Sequence, residues 1–270
     1  MFFYFRYLIM EALEVKNVCK KFLVKLDKDV KSETLKSSKK ILKNYYEKVV
    51  LSNCSFSVDT GSIFGLVGLN GIGKTTLIKI IFDMLDMDSG SAKFFGIDNY
   101  NSNSRLNVSY LPEKFSPSQY LSGYEFLEIS LSFFKKKLNK ERARQVAEMI
   151  DLDPNALKNV VGKYSKGMGQ KLGILSCLLS EAKLLVLDEP MTGLDPKSRI
   201  ALKNTLKEYV ENGNSIFFSS HILSDIDEIC DKMAVLHDGN TKFIGTPKEF
   251  REKYQADNAE TAFLKCISNQ

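Results

Sequence analysis

Residues Gly68 to Thr75 read Gly-Leu-Asn-Gly-Ile-Gly-Lys-Thr, a G-x-x-x-x-G-K-[ST] octet. It sits between an apolar run, Ser62 to Val67, and a helix-like stretch, Thr75 to Phe82. A strand, a glycine loop and a helix in that order form a phosphate cradle. The glycines, Gly68, Gly71 and Gly73, let backbone N–H groups converge on phosphate oxygens, and the helix N-terminus adds partial positive charge. Asn70 and Thr76 fall inside or beside the same loop. Lys74 is expected to reach the β- and γ-phosphates of a nucleotide, and the Thr75 hydroxyl to bind Mg²⁺. Average residue usage yields the octet by chance in roughly one chain in a hundred of this length, and the flanking pattern lowers that further.

The rest of the chain must supply a sheet for this strand. At 270 residues it suits one large domain or two small ones, and 44% hydrophobic residues are enough for a sizeable core. A net charge of +5 with acids and bases interleaved gives no sign of a nucleic-acid partner. Cys19, Cys54, Cys177, Cys230 and Cys266 are scattered and odd in number, without a C-x-x-C pair, so neither a disulfide framework nor a zinc site is expected. Reduced thiols fit a cytosolic chain. No segment approaches 18 uninterrupted apolar residues. The apolar opening, Met1 to Ile9, lacks a basic n-region and a small-residue cleavage site, and so makes a poor signal peptide. It reads as part of an N-terminal extension over 1–12, preceding a start at Met10 or touching membrane or partner.

Alternation over Leu13–Val18 predicts an edge strand. Residues 23–44 then change character, with Lys25, Lys28, Lys31, Lys36, Lys39, Lys40 and Lys43 among few large apolar residues. They read as a surface insertion, loop or helix, with anionic lipid headgroups as the alternative contact. Strands are expected at Ser55–Val58, Ala92–Phe95 and Asn107–Leu111. From Ser122 to about Ile150 the pattern is helical, with Phe126, Ile129, Phe133 and Phe134 at spacings of three and four read as core. Asp151-Leu-Asp-Pro154 breaks it, and another helix runs from about Ser165 to Ser180. Lys183–Leu187 and Ser215–Ser219 are continuous apolar runs, as parallel strands buried on both faces should be. Helices at Ser198–Val210 and Ile222–Ile229 follow, then a hairpin signal through Asp238-Gly239. Alternating strands and helices imply an α/β parallel sheet with ligand at the carboxyl ends of its strands. Residues 114–163 look like a helical insertion into it, and 251–270 like a tail.

Leu184 to Glu189 feeds two carboxylates from an apolar strand. Asp188 is placed to hold Mg²⁺ through water, and Glu189 to act as general base on the attacking water. His221, one of two histidines, ends the next buried strand, where it can reach a γ-phosphate.

With these residues the chain resembles the nucleotide-binding subunit of an ATP-binding cassette (ABC) transporter over roughly 13–250. Tyr164-Ser-Lys-Gly-Met168 stands where the family signature Leu-Ser-Gly-Gly-Gln is expected, agreeing only at Ser165 and Gly167, and is similar to a variant of the exporter branch. The resemblance implies a P-loop NTPase fold: a parallel-sheet core, an N-terminal antiparallel β subdomain and an inserted α-helical subdomain. It also implies ATP and Mg²⁺ as ligands and assigns roles. Ser165, Lys166 and Gly167 would grip ATP held by a second subunit, Asp195 would lie in a dimer-contact loop, and His221 would be the switch histidine. Glu113 occupies the place of a loop glutamine. A carboxylate there accepts from metal-bound water but cannot donate. Phe22, with Tyr45 as the alternative, would stack on adenine. Partners would be an identical or related ATP-binding subunit and a separate transmembrane permease, on the cytoplasmic face of the membrane, resembling bacterial ABC-2-type export. A soluble ABC ATPase, for example of cofactor assembly, is the alternative in another class.

Overall fold

A computed structural model describes residues 11–25, 41–42 and 45–268. The extension over 1–10 and most of the Lys-rich stretch therefore lie outside the described residues. Two sheets share one interior. The first is antiparallel, ordered β2-β3-β1-β5-β6, with β1 at Glu11–Lys25, β2 at Ile41–Leu42, β3 at Tyr45–Asp59, β5 at Ser89–Phe94 and β6 at Ile97–Asp98. The second is ordered β11-β10-β4-β9-β8-β7. Its strands are β4 at Ile63–Val67, β7 at Val108–Leu111, β8 at Leu184–Asp188, β9 at Ser215–Ser220, β10 at Lys232–His237 and β11 at Asn240–Gly245. All pair in parallel except β10 with β11, the hairpin turned by Asp238-Gly239.

β4, β8 and β9 are buried along their whole length, as their uninterrupted apolar character requires. Between the sheets, Phe56 stacks on Phe64 and Phe217 with centroids 5.3 and 5.5 Å apart. Helix α1, Lys74–Ile81, buries Leu77, Ile78, Ile80 and Ile81 in this same layer. The other face of the second sheet carries α4 at Lys166–Leu179, α5 at Pro196–Glu211 and α6 at Leu223–Ile229.

Three expectations change. β1 continues to Lys25, so Leu23–Lys25 are strand rather than loop or helix. The cause is pairing: β3 begins at Tyr45, far upstream of Ser55, and Leu23, Val24 and Lys25 lie opposite Glu47, Tyr46 and Tyr45. The helical pattern after Ser122 splits into α2, Gly123–Ser132, and α3, Lys140–Met149. Phe133 falls past the end of α2 and is 80% exposed, and Ile129 is half exposed, so neither is core. Phe126 does pack, edge-on to Phe115. Residues 247–268 form α7, Pro247–Lys253, and α8, Ala259–Ser268. α8 sends Ala259, Ala262, Phe263 and Cys266, at helical spacing, into the main core.

Candidate active site

The second sheet converges on the turn after β4. Gly73 adopts φ 119°, and a Cβ there would lie 3.1 to 3.2 Å from Val50 and Leu51 of β3, so only glycine fits. Gly73 is also the N-cap of α1, and among the described residues no side chain caps the helix's first N–H groups. Those groups are left for an anion. The Lys74 ammonium is buried, donating to the Gly68 carbonyl at 2.7 Å and lying 3.1 Å from Glu189 Oε1. The loop and its surroundings enclose a cavity of about 160 Å³ lined by Asn70, Gly71, Gly73, Lys74, Thr75, Thr76, Glu113 and Glu189.

Strand order explains how the second half of the site arrives. β9 separates β4 from β8, so the end of β8 meets the loop across one intervening strand. Thr75 Oγ1 donates to Asp188 Oδ2 at 2.8 Å across that gap. Ser219, at the end of β9, donates to Asp188 Oδ1 at 2.5 Å and accepts from the Glu189 N–H at 3.0 Å. Glu189 leaves the strand with φ 52°, a left-handed conformation that turns its carboxylate back over the cavity. There Oε2 lies 2.8 Å from His221 Nδ1. An ionised carboxylate only accepts, so Nδ1 carries the proton in this contact.

Burial raises the Asp188 pKa. Hydrogen bonds from Ser219 and Thr75 oppose that shift, and the nearby charges of Glu113 and Glu189 add to it. A buried carboxylate in this state gains from a cation. The donors, a hydroxyl and a carboxylate oxygen 2.8 Å apart with Glu113 lining the same cavity, are the hard oxygens that Mg²⁺ prefers.

Other expected residues lie elsewhere. Ser165 caps α4, accepting from the Met168 N–H at 3.2 Å. Gly167 approaches the Gly193 carbonyl, to which a Cβ would come within 3.1 Å, and Lys166 lies along Gly193. Asp195 caps α5 through the Ser198 N–H at 3.0 Å. None of these touches the cavity. Phe22 lies opposite Lys48 and is partly buried on β1, with Lys20 Nζ 5.5 Å from its ring. It shares a face of the sheet with Val50, which abuts Gly73. Tyr45 pairs with Lys25 and so belongs to the opposite face, with Leu23. The strand pairing thus separates the two aromatic candidates. Ser219 was visible in sequence only as part of Ser-Ser-His, and its two bonds have no signature of their own.

The sequence profile described as "ABC transporter" matches residues 51–192. The chain belongs to the ABC transporter family. It carries the ATP-binding cassette of that family of ATPases. It is 37% identical to an uncharacterized ABC transporter ATP-binding protein of Nostoc over 75% of this chain and 62% of that one. It is 36% identical to the bacitracin transport ATP-binding protein of Enterococcus faecalis, over 74% of this chain and 65% of the relative. An ABC-type transporter ATP-binding protein of Bacillus subtilis, EcsA, shares 33% identity over 84% of this chain and 93% of its own. The chain thus spans 62 and 65% of the length of the first two of these relatives. A solved ATP-binding subunit of an ABC transporter superposes with TM-score 0.78 at 26% identity, covering 94% of this chain and 99% of that one. The ABC cassette fold, with its antiparallel β layer and helical insertion, is the fold described above.

Proposed function

We propose that the chain hydrolyses ATP to drive export through a separate membrane permease. The observation that carries this reading is the joining of Thr75, Asp188, Ser219, Lys74, Glu189 and His221 in one bonded cluster around the cavity. The phosphate loop and the free N-terminus of α1 bind the phosphates, and Lys74 leaves Gly68 and Glu189 for the β- and γ-oxygens. Thr75 and Asp188 would hold Mg²⁺, with Glu113 accepting from its water. The ion supplies neutralisation of the phosphate charge. Glu189, freed from Lys74, takes a proton from the attacking water as general base. His221 Nδ1–H holds the Glu189 carboxylate in place and brings the ring beside the γ-phosphate. Phe22 stacks on adenine.

Ser165, Lys166 and Gly167 lie away from the chain's own cavity, which supports their acting on ATP held by a second subunit. The Gly193–Asp195 loop would lie at that contact. No helix among the described residues is long and apolar enough to cross a membrane; the permease of this reading would be a separate subunit, docked near Glu113 and the helical insertion at the cytoplasmic face. The relative named for bacitracin transport supports a transport role. The test is Glu189→Gln: ATP is retained and turnover falls at least a hundredfold in a phosphate-release assay. Turnover like the parent's would overturn the role of Glu189.

A further inference from the structure

Behind the signature helix lies a second polar cluster that the reaction does not use. Within the helical insertion, Asp151 makes a left-handed turn, φ 58°, just after α3. Its side chain reaches two neighbouring helices. Lys171 of α4 bonds both its carbonyl and, at 3.1 Å, Oδ2. Lys197 of α5 approaches Oδ1 at 2.6 Å. Ser198 Oγ lies 2.8 Å from Asp151 Oδ2 and, equally, 2.8 Å from Asp195 Oδ2. A hydroxyl has one proton, so Ser198 donates to one of these carboxylates at a time.

We infer that Asp151 is a positioning residue that sets the signature helix against the dimer-contact loop, with the Ser198 hydroxyl as a clasp shared between them. α4 begins at the signature, and Lys171 fixes it to Asp151. α5 begins at Asp195, and Ser198 fixes it to the same carboxylate. The two helix starts already meet where Gly167 abuts the Gly193 carbonyl and where Gln170 Nε2 lies 3.4 Å from the Pro190 carbonyl, one residue beyond Glu189. Asp151 completes a triangle whose other corners are the signature and the loop. When Asp195 turns to a second subunit, the Ser198 proton goes wholly to Asp151, and α5 stays fastened to α4. Among the described residues, the remaining links between the loop and the signature helix are van der Waals contact, one long hydrogen bond and the attraction of Lys171 for Asp195. The element placed by this clasp is the one that meets the other subunit's ATP, so the inference rests on the two-subunit reading above.

The test uses the full chain carrying Glu189→Gln, in which ATP persists. Asp151→Gly accepts the left-handed backbone and removes the carboxylate, whereas Asp151→Asn accepts it and keeps an oxygen acceptor for Ser198 and the lysines. Two quantities are read: ATP affinity of the single chain by a fluorescent nucleotide, and ATP-dependent self-association by sedimentation. The expected result is single-chain affinity within twofold for both variants, association weakened at least tenfold by Asp151→Gly, and most of that restored by Asp151→Asn. Undiminished association of Asp151→Gly overturns the inference. So does an equal loss of single-chain ATP binding, which would mark a merely structural role. A Glu189→Gln parent that fails to associate with ATP refutes the two-subunit reading, and the assigned role falls with it.

Discussion

Ser219 serves two masters with one hydroxyl. Its proton goes to Asp188 Oδ1, and its lone pair receives the Glu189 N–H. Ser219→Ala therefore leaves a fully buried carboxylate oxygen without a donor and frees the strained turn at Glu189. The expected cost is about 1–3 kcal/mol of stability and a fall in ATP turnover of at least tenfold, with nucleotide affinity nearly unchanged. Calorimetry and steady-state kinetics check both. Face assignment on β1 gives a second residue-level outcome. Phe22→Ala should weaken ATP binding severalfold, and Tyr45→Ala should leave it alone, measured by equilibrium nucleotide titration. The reverse pattern would mean that the arm is registered differently from the pairing seen here.

Among elements, the clasp between α3, α4 and α5 has a pH signature. Lys197, then Ser198, then Lys171 hold the Asp151 carboxyl well below its usual range, against some opposition from burial. Because the folded value is depressed, the stabilisation is fully present above the ordinary carboxylate range. It is lost as pH falls towards the folded value. Asp151→Asn should thus lower stability at neutral pH and flatten its decline below about pH 4, where unfolded aspartates begin to take up protons, so that parent and variant converge in acid. Denaturant titrations at several pH values measure this.

Elements were legible in proportion to how local their cause is. β4, β8 and β9 announce themselves because burial on both faces demands an unbroken apolar run. The phosphate loop does so because its glycines and lysine lie within a single octet. β1 beyond Phe22 and the early start of β3 were hidden. Their extended form comes from each other, across register shifts that periodicity does not encode. Phe133 misled for a related reason: spacing cannot say where a helix stops. Of the site, Lys74, Thr75, Asp188, Glu189 and His221 were readable and are brought together. The bonds of Ser219 and Asp151 were not, because each depends on which strands or helices end side by side.

At the level of the molecule, the core extends past the cassette's last strand. α8 packs Phe263 beside α6 and α7, so residues 259–268 are part of the folded unit rather than an appendage. Phe263→Ala should cost about 3–5 kcal/mol and lower the thermal midpoint while leaving the nucleotide cavity unaltered. A scanning calorimeter and a nucleotide titration would show stability and binding parting company.

Thr75 and Asp188 are hydrogen-bonded partners 113 positions apart, and the connection between α2 and α3 falls between them. Severed in that connection, the protein would become two polypeptides, one bearing the glycine loop and Glu113 and the other Asp188, Glu189 and His221. Neither would possess a complete pocket. Fused to two unrelated proteins, such halves would act as a coincidence detector whose output is nucleotide capture.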